Sequence, residues 1–329
     1  MIIETRAYAR AGLLGNPSDG YFGKTISIII RNFGASVQLY ETPELIIEEL
    51  NINSFRNIYH LTETVNLTGY YGGDRLIKAT IKKFCEYCEQ NDIKLGNKNF
   101  TIRYQTSIPR QVGLAGSSAI IAATIKALLI FYKIDIPAEV LPSLILSVEK
   151  EELGINAGLQ DRVIQVYEGC VFMDFNKEYM DNKGHGIYKK IDPLKLPKLY
   201  LAYKTELGKV SGTVLNNIRE KYDNGDTTVT ETLNEIANCA ELGKKAIENR
   251  NEAKLSELIN MNFDLRKKIM NISDSNIELV ETARNCGASA KFSGSGGAII
   301  GIYEDDKMLR KLIVDLKKIN ARVIKPYIV

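Results

Sequence analysis

The chain has 329 residues, of which 45% are apolar and 25% charged, with 43 Lys and Arg against 40 Asp and Glu. That composition excludes a disordered chain, and a net charge of +3 supplies no global field for nucleic acid or an anionic membrane. Five cysteines fit reduced thiols better than a disulfide framework, and His60 and His185 alone are too few for histidine-based triads or metal sites.

Residues 1–10 lack the apolar core of a signal peptide, and the most hydrophobic stretch, Ala119 to Tyr132, is broken by Lys126 and falls short of a bilayer span. A cytoplasmic protein with no membrane and no nucleic-acid partner is expected. Alternation over Ser27 to Tyr40 predicts strands joined by a hairpin. Apolar spacing predicts a helix over Asp74 to Gln90, which carries the C-x-x-C of Cys85 and Cys88. No second cysteine pair completes a zinc site, so these two are read as structural. A strand is predicted at Asn99 to Gln105, and helices at Ser117 to Phe131, Pro142 to Leu153 and Gln160 to Tyr167.

The segment Ile108-Pro109-Arg-Gln-Val-Gly113-Leu114-Ala115-Gly116-Ser117-Ser118-Ala119 opens the second of these helices. Glycines let a backbone approach an anion closely, and the first amides of a helix, with the positive end of its dipole, attract negative charge. Serine suits a helix start and offers an oxygen to a hard cation. A phosphate-binding loop is one reading; a Gly-Ser turn capping a core helix is the other. Neither the P-loop nor the dinucleotide glycine pattern occurs.

Beyond Asp174 the stretch from Lys183 to Pro197 is loop-rich, and a lobe boundary is expected there, dividing the chain into 1–190 and 191–329. A strand follows at Leu199 to Tyr203, then helices at Thr228 to Asn249 and Ala253 to Met270. The remaining order is helix Ile277 to Asn285, strand Ala288 to Phe292, a Ser-Gly turn, strand Ala298 to Tyr303, helix Lys307 to Ile319 and strand Arg322 to Val329. These elements by themselves predict two α+β lobes.

Three segments together resemble the motifs of the GHMP kinases, a family of small-molecule kinases. They are Ala9 to Gly23 (ARAGLLGNPSDGYFG), Pro109 to Ala119, and Lys291 to Ala298 (KFSGSGGA). Tyr8 to Ser27, Gly69 to Arg75, Asn99 to Ala119, Glu149 to Val166 and Asn262 to Lys267 are further similar to its glucuronokinase branch, which phosphorylates the anomeric hydroxyl of D-glucuronate.

The resemblance implies a ribosomal-protein-like N-terminal lobe, a ferredoxin-like C-terminal lobe, substrates between them, and ATP with Mg2+ as cofactors. ATP would lie on Pro109, Gly113, Leu114, Ala115, Gly116, Ser117, Ser118 and Ala119, with Ser118 and Glu149 as magnesium ligands. Glu151 and Glu152 crowd the same helix as Glu149. Asp161 falls where relatives carry a catalytic aspartate, and Arg10 where they carry an Arg or Lys beside the transferring phosphate. Without the resemblance, Asp161 reads as a helix-start carboxylate.

Asp19, Gly23, Gly294, Gly296 and Gly297 match substrate-side positions. Asn16 and Pro17 replace the Glu and His of galactose-binding relatives, which argues against galactose. A uronate needs a cation for its carboxylate; Lys24, Arg162 and Lys209 are candidates, each also readable as a solvated charge. Tyr70 and Tyr71 either border the pocket or pack in the core. The implied activity is an ATP-dependent sugar-acid 1-kinase, with a galacturonate or heptose kinase or a non-catalytic sugar sensor as alternatives. Its partners would be a small-molecule sugar acid and ATP, in a monomer or homodimer.

Overall fold

Alternating apolar residues set the first strand: β1 (Ile2–Leu14) buries Ile3, Thr5 and Ala7 on one face, and from Ala9 onward both faces are covered. The computed structural model describes residues 2–48, 52–205 and 212–329. They form two compact units, one of residues 1–9, 33–108 and 115–166, the other of residues 10–32, 109–114 and 167–329. β1 and β2 (Lys24–Thr42) each run through both.

In the first unit, β3 (Leu45–Glu48) pairs antiparallel with β4 (Ile52–Phe55) and parallel with β5 (Asn99–Thr106), and β5 pairs antiparallel with the second half of β2. β2 is one strand of 19 residues, not the predicted hairpin. Gly34, in its middle, does not turn the chain. A Cβ there would stand 3.1 Å from the Tyr8 ring and 3.2 Å from the Ala7 carbonyl, so the glycine admits the neighbouring strand.

The helices of this unit are α1 (Ile58–Thr68), α2 (Arg75–Gln90), α3 (Gly116–Tyr132), α4 (Leu141–Ser147) and α5 (Gln160–Tyr167). α3 is apolar nearly all round and accordingly buried from Ser118 to Ile125. Cys85 and Cys88 lie on the buried face of α2, where burial pushes their thiols up to about 12 and about 11. The predicted helix over Pro142 to Leu153 changes at Val148 into a π turn, Val148–Glu152. Val148 and Glu149 of this turn are buried.

In the second unit the first part of β2 pairs with β6 (Cys170–Asp174), and β6 with β7 (Ile187–Ile191), after the short helix α6 (Lys177–Lys183). A four-stranded antiparallel sheet follows, from β8 (Leu199–Lys204), β9 (Lys291–Phe292), β10 (Ala298–Ile302) and β11 (Ala321–Ile324), in the order β11-β8-β10-β9. Its helices are α7 (Gly212–Asp223), α8 (Thr227–Glu248), α9 (Glu252–Ile269), α10 (Asp274–Asn285) and α11 (Asp306–Lys317). Tyr200, Ala202, Phe263, Leu279, Val280, Phe292, Ile299, Leu312 and Leu316 form the core between sheet and helices.

The predicted last strand stops at Ile324, because Pro326 cannot donate to a ladder and restrains Lys325. The strand predicted at Ala288 to Phe292 shortens to Lys291–Phe292. Ser289 and Ala290 instead bond outside β9: the Ser289 carbonyl accepts from the Tyr200 hydroxyl (2.9 Å) and the Ala290 amide donates to Asn260 Oδ1 (3.0 Å). All five cysteines are buried free thiols. Among the described residues no helix is long and apolar enough to cross a membrane.

Candidate active site

In the first unit the start of α3 is built around Ala115. This residue takes a left-handed conformation (φ 60°), and its carbonyl collects the Ala119 amide (3.2 Å), the Ser118 hydroxyl (3.2 Å) and the Gln165 side-chain amide (3.0 Å). A non-glycine residue held there by several bonds marks a loop whose shape is imposed by its surroundings. Beyond it the amides of Gly116, Ser117 and Ser118 open the helix, with no carbonyl one turn earlier to receive them.

The Ser117 hydroxyl donates to Glu149 Oε1 at 2.6 Å. Glu149 forms an ion pair through Oε2 with Arg162 Nη2, and Arg162 Nη1 also reaches the Gly158 carbonyl (2.7 Å) and Asp161 Oδ2 (3.4 Å). Glu149 is 1% exposed and Arg162 3%. A buried carboxylate needs a partner of opposite charge, and here the π turn delivers Glu149 to one. The run Ser117, Glu149, Arg162, Asp161 thus links the start of α3 to the start of α5.

Glu151 and Glu152 point elsewhere. Glu152 receives the Tyr70 hydroxyl (2.5 Å) and Lys82 (2.7 Å), while exposed Glu151 meets Lys83. Burial and the Glu152 carboxylate hold the Tyr70 hydroxyl in its protonated form. Tyr71 is exposed.

In the second unit residues from all three motif segments meet. Arg10 Nη1 donates to the carbonyls of Gly113 (2.7 Å) and Ser293 (2.9 Å), and the Gly12 amide donates to the same Ser293 carbonyl at 2.7 Å. The backbones are too close for side chains. A Cβ on Gly113 would stand 2.9 Å from the Gly296 carbonyl oxygen, and one on Gly297 3.0 Å from the Val112 Cα. Gly113, Gly296 and Gly297 also have positive φ, which only glycine adopts without strain.

Asp19 lies in the short 3-10 turn Ser18–Tyr21, and the Gly23 backbone approaches Ser18 so closely that its amide donates to the Ser18 carbonyl (2.9 Å). Lys24 pairs with Glu241 (2.8 Å) and Asp174 (3.5 Å), and the bond to Glu241 raises its pKa. Lys209 lies outside the described residues.

Three residues of this unit escape the sequence reading. Lys291, fully buried, donates to the Gly12 carbonyl (2.7 Å), Asn16 Oδ1 (2.5 Å) and the Phe292 carbonyl (2.8 Å). Burial, with Arg266 and Arg10 adding repulsion, pushes its ammonium well below the ordinary lysine range. Asn262 accepts from the Gly15 amide (2.8 Å) and donates to the Asn16 carbonyl (3.3 Å), and Arg266 Nη1 donates to the Gly294 carbonyl (3.1 Å). The signal lay in α9, where Asn262 and Arg266 continue the buried stripe of Leu255 and Ile259 at helical spacing.

The chain belongs to the GHMP kinase family: residues 75–169 match the model of the GHMP kinases N terminal domain and residues 244–319 that of the GHMP kinases C terminal. It is 47% identical to Glucuronokinase 1 of Arabidopsis thaliana, covering 91% of this chain and 84% of that one. To Probable glucuronokinase 2 of the same plant it is 44% identical, over 99% and 91%. Among solved structures, Methanococcus jannaschii mevalonate kinase shares the fold with a TM-score of 0.76 at 23% identity, over 100% of this chain and 98% of that one. Lactococcus lactis galactokinase, solved with galactose, does so with 0.82 at 16%, over 99% and 93%.

Proposed function

We propose that the protein is a cytoplasmic kinase that transfers the γ-phosphoryl group of ATP to the anomeric hydroxyl of D-glucuronate, giving D-glucuronate 1-phosphate and ADP. The observation that carries this reading is the 47% and 44% identity to the two Arabidopsis thaliana glucuronokinases over most of the chain. The two family-model matches fall on either side of residue 190, which supports an N-terminal lobe of 1–190 and a C-terminal lobe of 191–329.

In this reading the loop from Pro109 through Gly113, Leu114, Ala115, Gly116, Ser117, Ser118 and Ala119 receives the phosphates on its amides. Arg10, already fixed by two carbonyls, supplies positive charge for the phosphoryl group in flight. Asp161 accepts the proton of the attacking hydroxyl as that oxygen bonds to the γ-phosphorus and ADP departs. Asp19 and the backbone at Gly23, Gly294, Gly296 and Gly297 border the sugar.

The donor set at the start of α3 fits Mg2+, a cation that takes one or two carboxylates with phosphate and water. Glu149 is the buried carboxylate there, with Ser117 bonded to it and Ser118 next in sequence. Glu149 and Ser118 would hold the ion, whose charge offsets that of the nucleotide when bound. Arg162 pairs with Glu149 and reaches Asp161, so its role is positioning.

The test is coupled-assay turnover of purified protein with ATP, MgCl2 and D-glucuronate, compared with Asp161→Asn. Turnover falling by about 10²–10⁴-fold with unchanged thermal stability is the expected result. Near-normal kcat in that variant removes Asp161 as the base.

A further inference from the structure

A sugar acid brings a carboxylate, and binding it in a closed pocket demands a cation that is not already neutralised. Lys24 already pairs with Glu241 and Asp174, and Arg162 with Glu149 and Asp161. Arg266 differs. It is 1% exposed, its Nη1 has only the neutral Gly294 carbonyl, and its Nε has no hydrogen-bond partner among the described residues. Its guanidinium lies over the Phe292 ring, 5.3 Å from the centroid, which fixes the plane of the fork.

We infer that Arg266 is the specificity residue for the acid group: its guanidinium, held between Phe292 and the Gly294 carbonyl, binds the carboxylate of the sugar acid through the fork that the protein leaves incompletely used. The inference rests on the sugar-acid kinase reading above and deepens it. A planar carboxylate matches the guanidinium fork with two parallel hydrogen bonds, which a tetrahedral phosphate or a hydroxyl matches less well.

Charge points the same way. Burial pushes the Arg266 guanidinium down to about 10; the Asp19 carboxylate opposes that shift and Arg10 adds to it. Lys291 is buried close enough for Arg266 and Arg10 to lower its pKa, so three basic side chains gather in this part of the second unit. Such a cluster is stabilised by an incoming anion and has little to offer a neutral sugar. Asp19, proposed for the sugar hydroxyls, is the carboxylate whose charge acts on Arg266, so hydroxyl and carboxylate recognition fall on one side of the substrate.

The experiment compares kcat/KM for D-glucuronate and for its neutral isostere D-glucuronamide in the wild-type protein, Arg266→Gln and Arg266→Lys. The wild type should favour the acid by about 100-fold. Arg266→Gln should lose about 100-fold on the acid, chiefly through KM, and stay within about threefold on the amide; Arg266→Lys, with charge but no fork, should fall between. Equal losses on both substrates in Arg266→Gln, or an unchanged acid-to-amide ratio, overturn the assignment. Should Arg266→Gln fail to fold, the wild-type ratio decides, since a value near one overturns it. Absence of wild-type turnover on D-glucuronate overturns instead the functional reading beneath it.

Discussion

Gly294→Ala probes the joint between the motif segments. A Cβ at this position would run into the Gly113 carbonyl oxygen, and it would stand 2.8 Å from Arg10 Nη1 and 3.0 Å from the Gly113 carbonyl carbon. Ordinary carbon-carbon contact needs about 3.5 Å, so the turn and the loop must part by about half an ångström or more. Neither yields easily, because Arg10 holds Gly113 and Ser293 together and the Gly113 backbone also abuts Gly296. Overpacking of this kind costs about 1–3 kcal/mol, and a shift of Arg10 and the loop at Gly113 approaching 1 Å is expected to lower kcat/KM by about 100-fold. Urea unfolding measures the first and coupled-assay turnover the second, with Gly96→Ala as the control, since nothing lies within 4 Å of a Cβ there. A Gly294→Ala protein with turnover within about twofold of wild type and an unchanged urea midpoint would refute the claim that this close approach sets the site.

Glu149→Gln removes the buried carboxylate paired with Arg162 and leaves Asp161 at 3.4 Å, and a loss of about 3–5 kcal/mol in urea unfolding is expected, with turnover falling as well. Wild-type stability and activity would contradict the pairing. The Cys170 thiol, fully buried, is pushed up to about 12 from 9.0. Its folded pKa lies above its unfolded one, so the unfolded chain loses the proton first. The stabilisation is complete below about pH 9 and is lost as pH rises toward about 12. Cys170→Ala should therefore flatten the fall of stability measured by urea titration between pH 9 and 11; an identical slope would remove this thiol as the cause.

The two units handle buried charge differently. In the first, the buried carboxylate of Glu149 pairs with Arg162 and accepts the Ser117 hydroxyl. In the second, Arg10, Arg266 and Lys291 donate to backbone carbonyls, and the Asp19 carboxylate acts on Arg266. Carbonyl dipoles thus orient these basic side chains about the glycine turn.

What the sequence made legible follows from how local each signal is. α3, α8, α9 and α11 lie within one or two residues of their predicted ends, because their apolar spacing is carried by the residues themselves. The hairpin predicted within β2 fails because Gly34 answers to the Tyr8 ring on another strand, a contact more than twenty residues away in sequence. Glu149, Ser117 and Arg162 could be picked out one by one through family resemblance, but their linkage depends on a π turn that no periodicity announces. Arg266 is the more instructive miss. Its position on α9 was readable as part of an apolar stripe, and a polar residue on such a stripe must meet a partner in the fold or serve a ligand. Asn262, one turn earlier, meets Gly15 and Asn16. Arg266 Nη1 meets the neutral Gly294 carbonyl and its Nε has no hydrogen-bond partner among the described residues, so the same stripe that builds the core of the second unit also carries a guanidinium whose hydrogen bonds are incompletely used.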